Sequence, residues 1–142
     1  TGQDGILNLS YYDVVLGNDL CVYPSYYEPW GYTPLEAVAF KVPCITTDLA
    51  GFGLWANQVK GSYIEIEDGV KVIHRTDYNY QEVAAAIKDT VVKYASLTDK
   101  EVKSCRSHAD NLSRKALWSK FIAYYHEAYD FALRHAEARM DK

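Results

Sequence analysis

The chain has 142 residues, 49% of them hydrophobic and 24% charged, which suits one globular domain and excludes a disordered chain. Fifteen Lys and Arg against nineteen Asp and Glu leave a formal net charge of −4, which argues against a broad grip on nucleic acid. No stretch is apolar for long enough to span a membrane, and no signal peptide opens the sequence. In chain order, Tyr11 to Gly17 (YYDVVLG) is expected to form a short helix. Leu20 to Tyr23 (LCVY), closed by Pro24, reads as a brief buried strand. A loop follows, and Thr33-Pro34-Leu35-Glu36 then carries three helix-start signals, with Thr33 as the expected N-cap. Pro43 stops that helix near Lys41, and Pro43 to Thr47 (PCITT) is the next strand. Gly51 and Gly53 mark an expected loop, and Val70 to His74 (VKVIH) is a third strand.

The second half reads as helical. Asn79 with Glu82 forms a capping-box pattern ahead of Val83, Ile87, Val91 and Tyr94, which share one face. Thr98 with Glu101 repeats the pattern for a helix to Leu112. The last helix spaces Trp118, Phe121, Ile122, Tyr125, Tyr129, Leu133 and Ala136 by helical steps. They make one apolar stripe, about five turns long, expected to pack in the core. Strands that alternate with helices in this order describe a parallel α/β sheet. Three strands are few for such a sheet, which normally has more neighbours and both faces covered. Residues 1–142 are therefore expected to be one fragment, the second half of a doubly wound, Rossmann-like domain that closes with long helices. Its first half would lie before Thr1, which is not a Met.

Three cysteines, Cys21, Cys44 and Cys105, are too few for a disulfide framework, and the odd number suits a reducing, cytoplasmic compartment. The four histidines stand at no metal-ligand spacing, so neither a metal nor a cofactor is expected. Thirteen tyrosines cluster in the first third and the last helix. Such rings serve surfaces that stack on sugars or bases, and they also fill half-wet cores.

The informative stretch is Tyr23 to Asp48, YPSYYEPWGYTPLEAVAFKVPCITTD. A strand ends at Pro24, a loop carries Glu28, and Gly31 allows the backbone to approach a ligand closely. The amides of Gly31, Tyr32 and Thr33 then point from a helix N-terminus, at the strand-to-helix corner where open α/β sheets bind phosphates. Glu28 and Glu36 bracket this corner with seven residues between them. Carboxylates repel phosphate but accept well from hydroxyls, so the pair suits a ligand that has both, a sugar nucleotide. Read structurally, Glu36 completes a capping box with Thr33, whereas Glu28 satisfies no obvious cap.

The string PSYYEPWGYTPLE, followed by ITTDLAGFG, resembles retaining GT-B glycosyltransferases, which carry two glutamates at this spacing. More narrowly, it resembles the glycogen synthases of the animal and fungal type. The likeness is strongest over residues 11 to 54, and the tyrosine-rich last helix is similar to that family's closing segment. The resemblance implies that Glu28 is the catalytic-site carboxylate that holds the donor hexose hydroxyls. It implies that Gly31, Tyr32 and Thr33 bind the distal phosphate through their amides. Glu36 would hold the ribose, and Tyr11, seventeen residues before Glu28, would stack on the base. The implied reaction is glucosyl transfer with retention through an oxocarbenium-like transition state, from UDP-glucose by preference to the end of an α-1,4-glucan. The implied partners are the sugar nucleotide, the glucan and the family's N-terminal acceptor domain, with no nucleic acid and no membrane.

Two departures from the family pattern stand out. The upstream Arg and Lys that clamp the diphosphate in this family have no counterpart in the chain, so the isolated segment is expected to be inactive. The family's arginine-rich helix, a sensor of glucose 6-phosphate, corresponds to TDKEVKSCRSHADNLSR, which holds only Lys100, Lys103, Arg106 and Arg114. That dilution suggests an unregulated, bacterial form. Two other readings remain open at this point. One is a GT-B transferase with a different sugar or acceptor, and the other is a non-catalytic domain that binds nucleotide or glycan.

Overall fold

Three short β-branched and apolar runs make the sheet, and the segments between them must cross back over it. The computed structural model describes residues 2, 3 and 5–140. Its strands are β1 (Cys21–Val22), β2 (Cys44–Thr47) and β3 (Val70–Ile73), all parallel, in the order β1-β2-β3. Cys21 stands beside Cys44, and Cys44 beside Val70. β2 is central and buried at every position, as a strand covered on both faces must be. β1 lies at the edge, and Val22 is exposed, so the expected buried strand is only partly buried.

The helices are α1 (Tyr11–Leu16), α2 (Tyr32–Ala39), α3 (Gly51–Lys60), α4 (Tyr80–Ala95), α5 (Asp99–Ser113) and α6 (Trp118–Met140). The crossover from β1 to β2 runs through α2, and that from β2 to β3 through α3. Phe52 of α3, Val38 of α2, Val70 and Val72 of β3, and Ala109 and Leu112 of α5 meet in one buried cluster. A second cluster of Ile45, Ile73 and Val83 holds α4 against the sheet. Together these give an α/β body with a small parallel sheet and long C-terminal helices.

The capping box expected for α5 forms and the one expected for α4 does not, while α1 has a cap that the sequence reading did not name. Ser10 caps α1, its hydroxyl accepting from the Asp13 amide at 3.2 Å. Thr98 and Glu101 form the expected capping box of α5. Asn79 does not cap α4 with its side chain. Its amide group instead bridges backward, accepting from the Thr76 amide at 2.8 Å and donating to the His74 carbonyl at 3.0 Å. That arrangement ties the end of β3 to the start of α4.

Two larger corrections follow. Gly51 and Gly53 are not in a loop but open α3. A Cβ on Gly51 would sit 2.2 Å from the Pro29 carbonyl oxygen, and one on Gly53 would sit 2.2 Å from that of Thr47. These glycines serve close packing within a helix. Nor does the stripe on α6 form core: no residue of α6 is buried among those described. Phe121 sets its ring edge-on to Trp30 and Trp55, at 5.4 Å and 5.8 Å between centroids. Beyond it Tyr125, Tyr129 and Leu133 are exposed.

Candidate functional site

The corner between β1 and α2 is built by a loop that the neighbouring segment holds at four residues. Pro24 offers its carbonyl to the Arg75 guanidinium. Ser25 offers its carbonyl to the Thr47 hydroxyl at 2.6 Å. Glu28 is bonded on both sides of its peptide: its amide donates to Leu49 at 3.2 Å, and its carbonyl accepts from Gly51 at 3.1 Å. The Trp30 carbonyl accepts from the Phe52 amide. The loop thus runs as a short parallel extension alongside the start of α3, bridged at Glu28 and Ala50. It can lie that close only because residue 51 has no side chain.

Glu28 is half-buried, and its Oε2 accepts from the Ser25 hydroxyl at 3.1 Å. Gly31 follows at φ 108°, ψ 77°, and is the residue that caps α2. A side chain there would be strained by that positive φ, would press on Pro34 and would stand in contact with Glu28. The expectation of Thr33 as N-cap is therefore corrected: the helix starts two residues earlier, and Thr33 lies inside its first turn. No side chain caps this helix start, so the first-turn amides of Tyr32 and Thr33 remain directed out of the N-terminus. Pro34 fits the same turn, where its missing N–H would have had no partner. An anion is attracted by such amides and by the partial positive charge of the helix end.

With Thr33 no longer at the cap, the capping-box explanation of Glu36 falls. Glu36 instead lies near Tyr11, a residue 48% exposed, and its charge acts on the phenol. Partial burial, and then the Glu36 charge, raise the Tyr11 pKa, so the phenol stays protonated at neutral pH and can donate to the carboxylate. Tyr23 stands close by, and its pKa is pushed up, first by burial and then by the neighbouring Cys21. The structure therefore brings Tyr11 to Glu36 and sets Glu28 beside Gly31. These are two halves of one corner, joined by the first turn of α2.

Sequence reasoning missed Ser25, Thr47 and Gly51, each of which shapes the loop around Glu28. The glycines after TTDLA were the available signal, since paired glycines mark a close backbone approach as readily as a loop. It missed Arg75 as well. The guanidinium lies 5.3 Å from the Tyr26 ring centroid, and the Arg75 amide donates to Asp48 at 2.9 Å. Asp48 also contacts His74 at 2.5 Å. Among the described residues no three His, Cys, Asp or Glu side chains converge to hold a metal ion. On α5, Arg106 pairs with Asp19 at 3.0 Å and Arg114 with Asp110 at 3.2 Å. No described helix is long and apolar enough to cross a membrane.

Comparison with known proteins finds relatives along most of the chain. The chain is 32% identical over 131 residues to glycogen (starch) synthase isoform 1 of Saccharomyces cerevisiae, covering 92% of the chain and 18% of that protein. It is 29% identical over 141 residues to glycogen (starch) synthase of Caenorhabditis elegans, covering 96% of the chain and 20% of that protein. For the liver glycogen (starch) synthase of Mus musculus the identity is 28% over 131 residues, with 92% and 18% covered. The chain thus spans about a fifth of the length of these relatives. The family model for glycogen synthase matches residues 1–140, and the chain belongs to the glycogen synthase family.

Proposed function

We propose that this chain is the donor-binding part of a retaining GT-B glycogen synthase, the second half of its doubly wound domain. The full protein would move glucose from a sugar nucleotide, UDP-glucose by preference, to the end of an α-1,4-glucan. The observation that carries this reading is the corner: Glu28 stands beside an uncapped helix start, and Glu36 lies near Tyr11 just beyond its first turn. In that arrangement Glu28 accepts from the hexose hydroxyls. The amides of Gly31, Tyr32 and Thr33 hold the distal phosphate, Glu36 holds the ribose, and the exposed Tyr11 ring offers a face to the base.

The chemistry follows from where charge develops. As the bond from the sugar C1 to oxygen breaks, positive charge grows on the ring and negative charge on the departing diphosphate. Fixed amides at a helix end stabilise the second without reorganising. A carboxylate held near the sugar orients the hydroxyls and favours the first. Neither effect requires Glu28 to form a bond to the sugar. The acceptor hydroxyl then takes the sugar on the face that the diphosphate leaves, its proton passing to the departing diphosphate oxygen. The remainder of the protein would supply the glucan site and further cations for the diphosphate, so we expect the segment alone to be inactive. We also read it as a form that glucose 6-phosphate does not activate, because Arg106 and Arg114 are already paired with acids. Cytoplasmic placement is supported by three free cysteines.

The test is glucose incorporation into glycogen by the full-length protein, offered UDP-glucose and ADP-glucose separately, with and without glucose 6-phosphate. Glu28→Gln is expected to lower the rate at least 100-fold, the scale for losing a group at the reacting centre. Glucose 6-phosphate is expected to leave the rate unchanged. Incorporation that survives the substitution, or none from either donor in a folded protein, would refute the proposal.

A further inference from the structure

We propose that Ser25 is a positioning residue for Glu28, fixing the carboxylate so that one oxygen remains free to accept from the donor sugar. The inference rests on the reading of Glu28 as the sugar ligand, and it deepens that reading. The Ser25 hydroxyl donates to Glu28 Oε2 at 3.1 Å. Among the described residues this is the hydrogen bond that holds the Glu28 side chain, and Oε1 has no protein donor. Glu28 otherwise hangs from a loop, and a flexible side chain there would sample several rotamers, each less suited to a fixed ligand. A single donor on one oxygen removes that freedom without occupying the other.

Ser25 can aim because its own backbone is clamped. Its amide donates to the Tyr23 carbonyl at 2.8 Å. Its carbonyl accepts from Thr47 Oγ1 at 2.6 Å. Thr47 is the buried last residue of β2, and the same oxygen accepts from the Leu49 amide at 3.3 Å. A line of bonds therefore runs from the centre of the sheet, through Thr47 and Ser25, to the Glu28 carboxylate. The backbone of Glu28 is tied to Leu49 and Gly51, so both ends of the side chain are referred to the same stretch of chain, from the end of β2 to the start of α3. This is support of the kind that binding groups require, with each polar contact itself held by a second one.

The experiment compares affinities in the full-length protein, by calorimetry, for UDP-glucose and UDP, with ADP-glucose and ADP in parallel. Ser25→Ala is expected to weaken the sugar nucleotide about tenfold, the worth of one hydrogen bond to a charged group. Affinity for the nucleoside diphosphate, which lacks the sugar, is expected to stay unchanged. Ser25→Thr, which keeps the hydroxyl, is expected to restore binding. Equal losses for both ligands would mean that the loop has merely loosened, and would overturn the inference. So would an unchanged Ser25→Ala beside a Glu28→Gln that loses sugar affinity. If Glu28→Gln itself leaves the difference between the two ligands intact, the reading of Glu28 fails and the inference falls with it.

Discussion

The loop from Tyr23 to Gly31 and helix α6 are both rich in tyrosine and tryptophan, and they sit in the structure in opposite ways. The loop has no regular structure, yet neighbouring groups fix it at Pro24, Ser25, Glu28 and Trp30. α6 is the longest helix among the described residues, its backbone bonds running along its own turns and to Leu117 just before it, yet no residue of it is buried. Its foothold is Phe121, set edge-on to Trp30 and Trp55. A cleft of about 580 Å³ opens there, lined also by Gln58, Val59, Tyr124 and Tyr125. The contrast separates two meanings of order. A helix satisfies its own backbone and needs nothing else to be regular. A loop must find its partners elsewhere in the molecule, so a well-held loop is a property of the tertiary structure.

Substitutions at matched positions sharpen this contrast, and the largest effect is expected where the loop meets α3. Phe52 is fully buried and packs against Trp30 and Trp55. Phe52→Ala is expected to cost about 3–5 kcal/mol of unfolding free energy, as a large cavity in a closed core does. Denaturant unfolding measures it, and a loss of about 1 kcal/mol or less would mean that the site is far less tightly packed than described.

Gly51→Ala tests the close approach itself. Its new methyl would meet the Pro29 carbonyl oxygen, and backbone must move to admit it. The expected cost is about 1–3 kcal/mol, the range for overpacking. Because Glu28 lies one residue from Pro29, transfer by the full-length protein should fall further than stability alone explains. A variant with unaltered stability and transfer would show that the loop does not lie on α3.

Leu133→Ala should have the smallest effect. Leu133 belongs to the stripe that periodicity assigned to the core, and it is 61% exposed. In this chain its truncation should shift stability by no more than about 0.5 kcal/mol, as at other open surface positions. A loss of about 2 kcal/mol or more, the figure for a buried leucine, would return the stripe to the core. Repeating the measurement in the full-length protein would then show whether the face is covered there.

Much of the corner was legible because its signals are local. Glu28, Gly31 and Glu36 lie within nine residues of one another, and the proline, glycine and strand runs around them fix a strand-loop-helix path whatever lies nearby. The same holds for Thr98, whose capping bonds reach only three residues along the chain. Thr33 failed as a cap because Gly31 could take the left-handed conformation two residues earlier, and a sequence pattern with two possible starts does not choose between them. Asn79 failed because its amide group found partners behind it, at Thr76 and His74.

What the sequence determined alone was the order of elements, the three parallel strand runs, the position of the corner and the kinship its residues carry. All of these depend on steric preference, hydrogen bonding or spacing over a few residues, which the chain specifies without reference to distant parts. The tertiary structure alone decided that Thr47 reaches Ser25, that Gly51 and Gly53 give α3 room against the loop and strand, that Glu36 meets Tyr11, and that α6 stands with its stripe uncovered. Each joins residues well apart in the chain or depends on what a face meets. Periodicity states which residues share a face, but only packing supplies the surface opposite it.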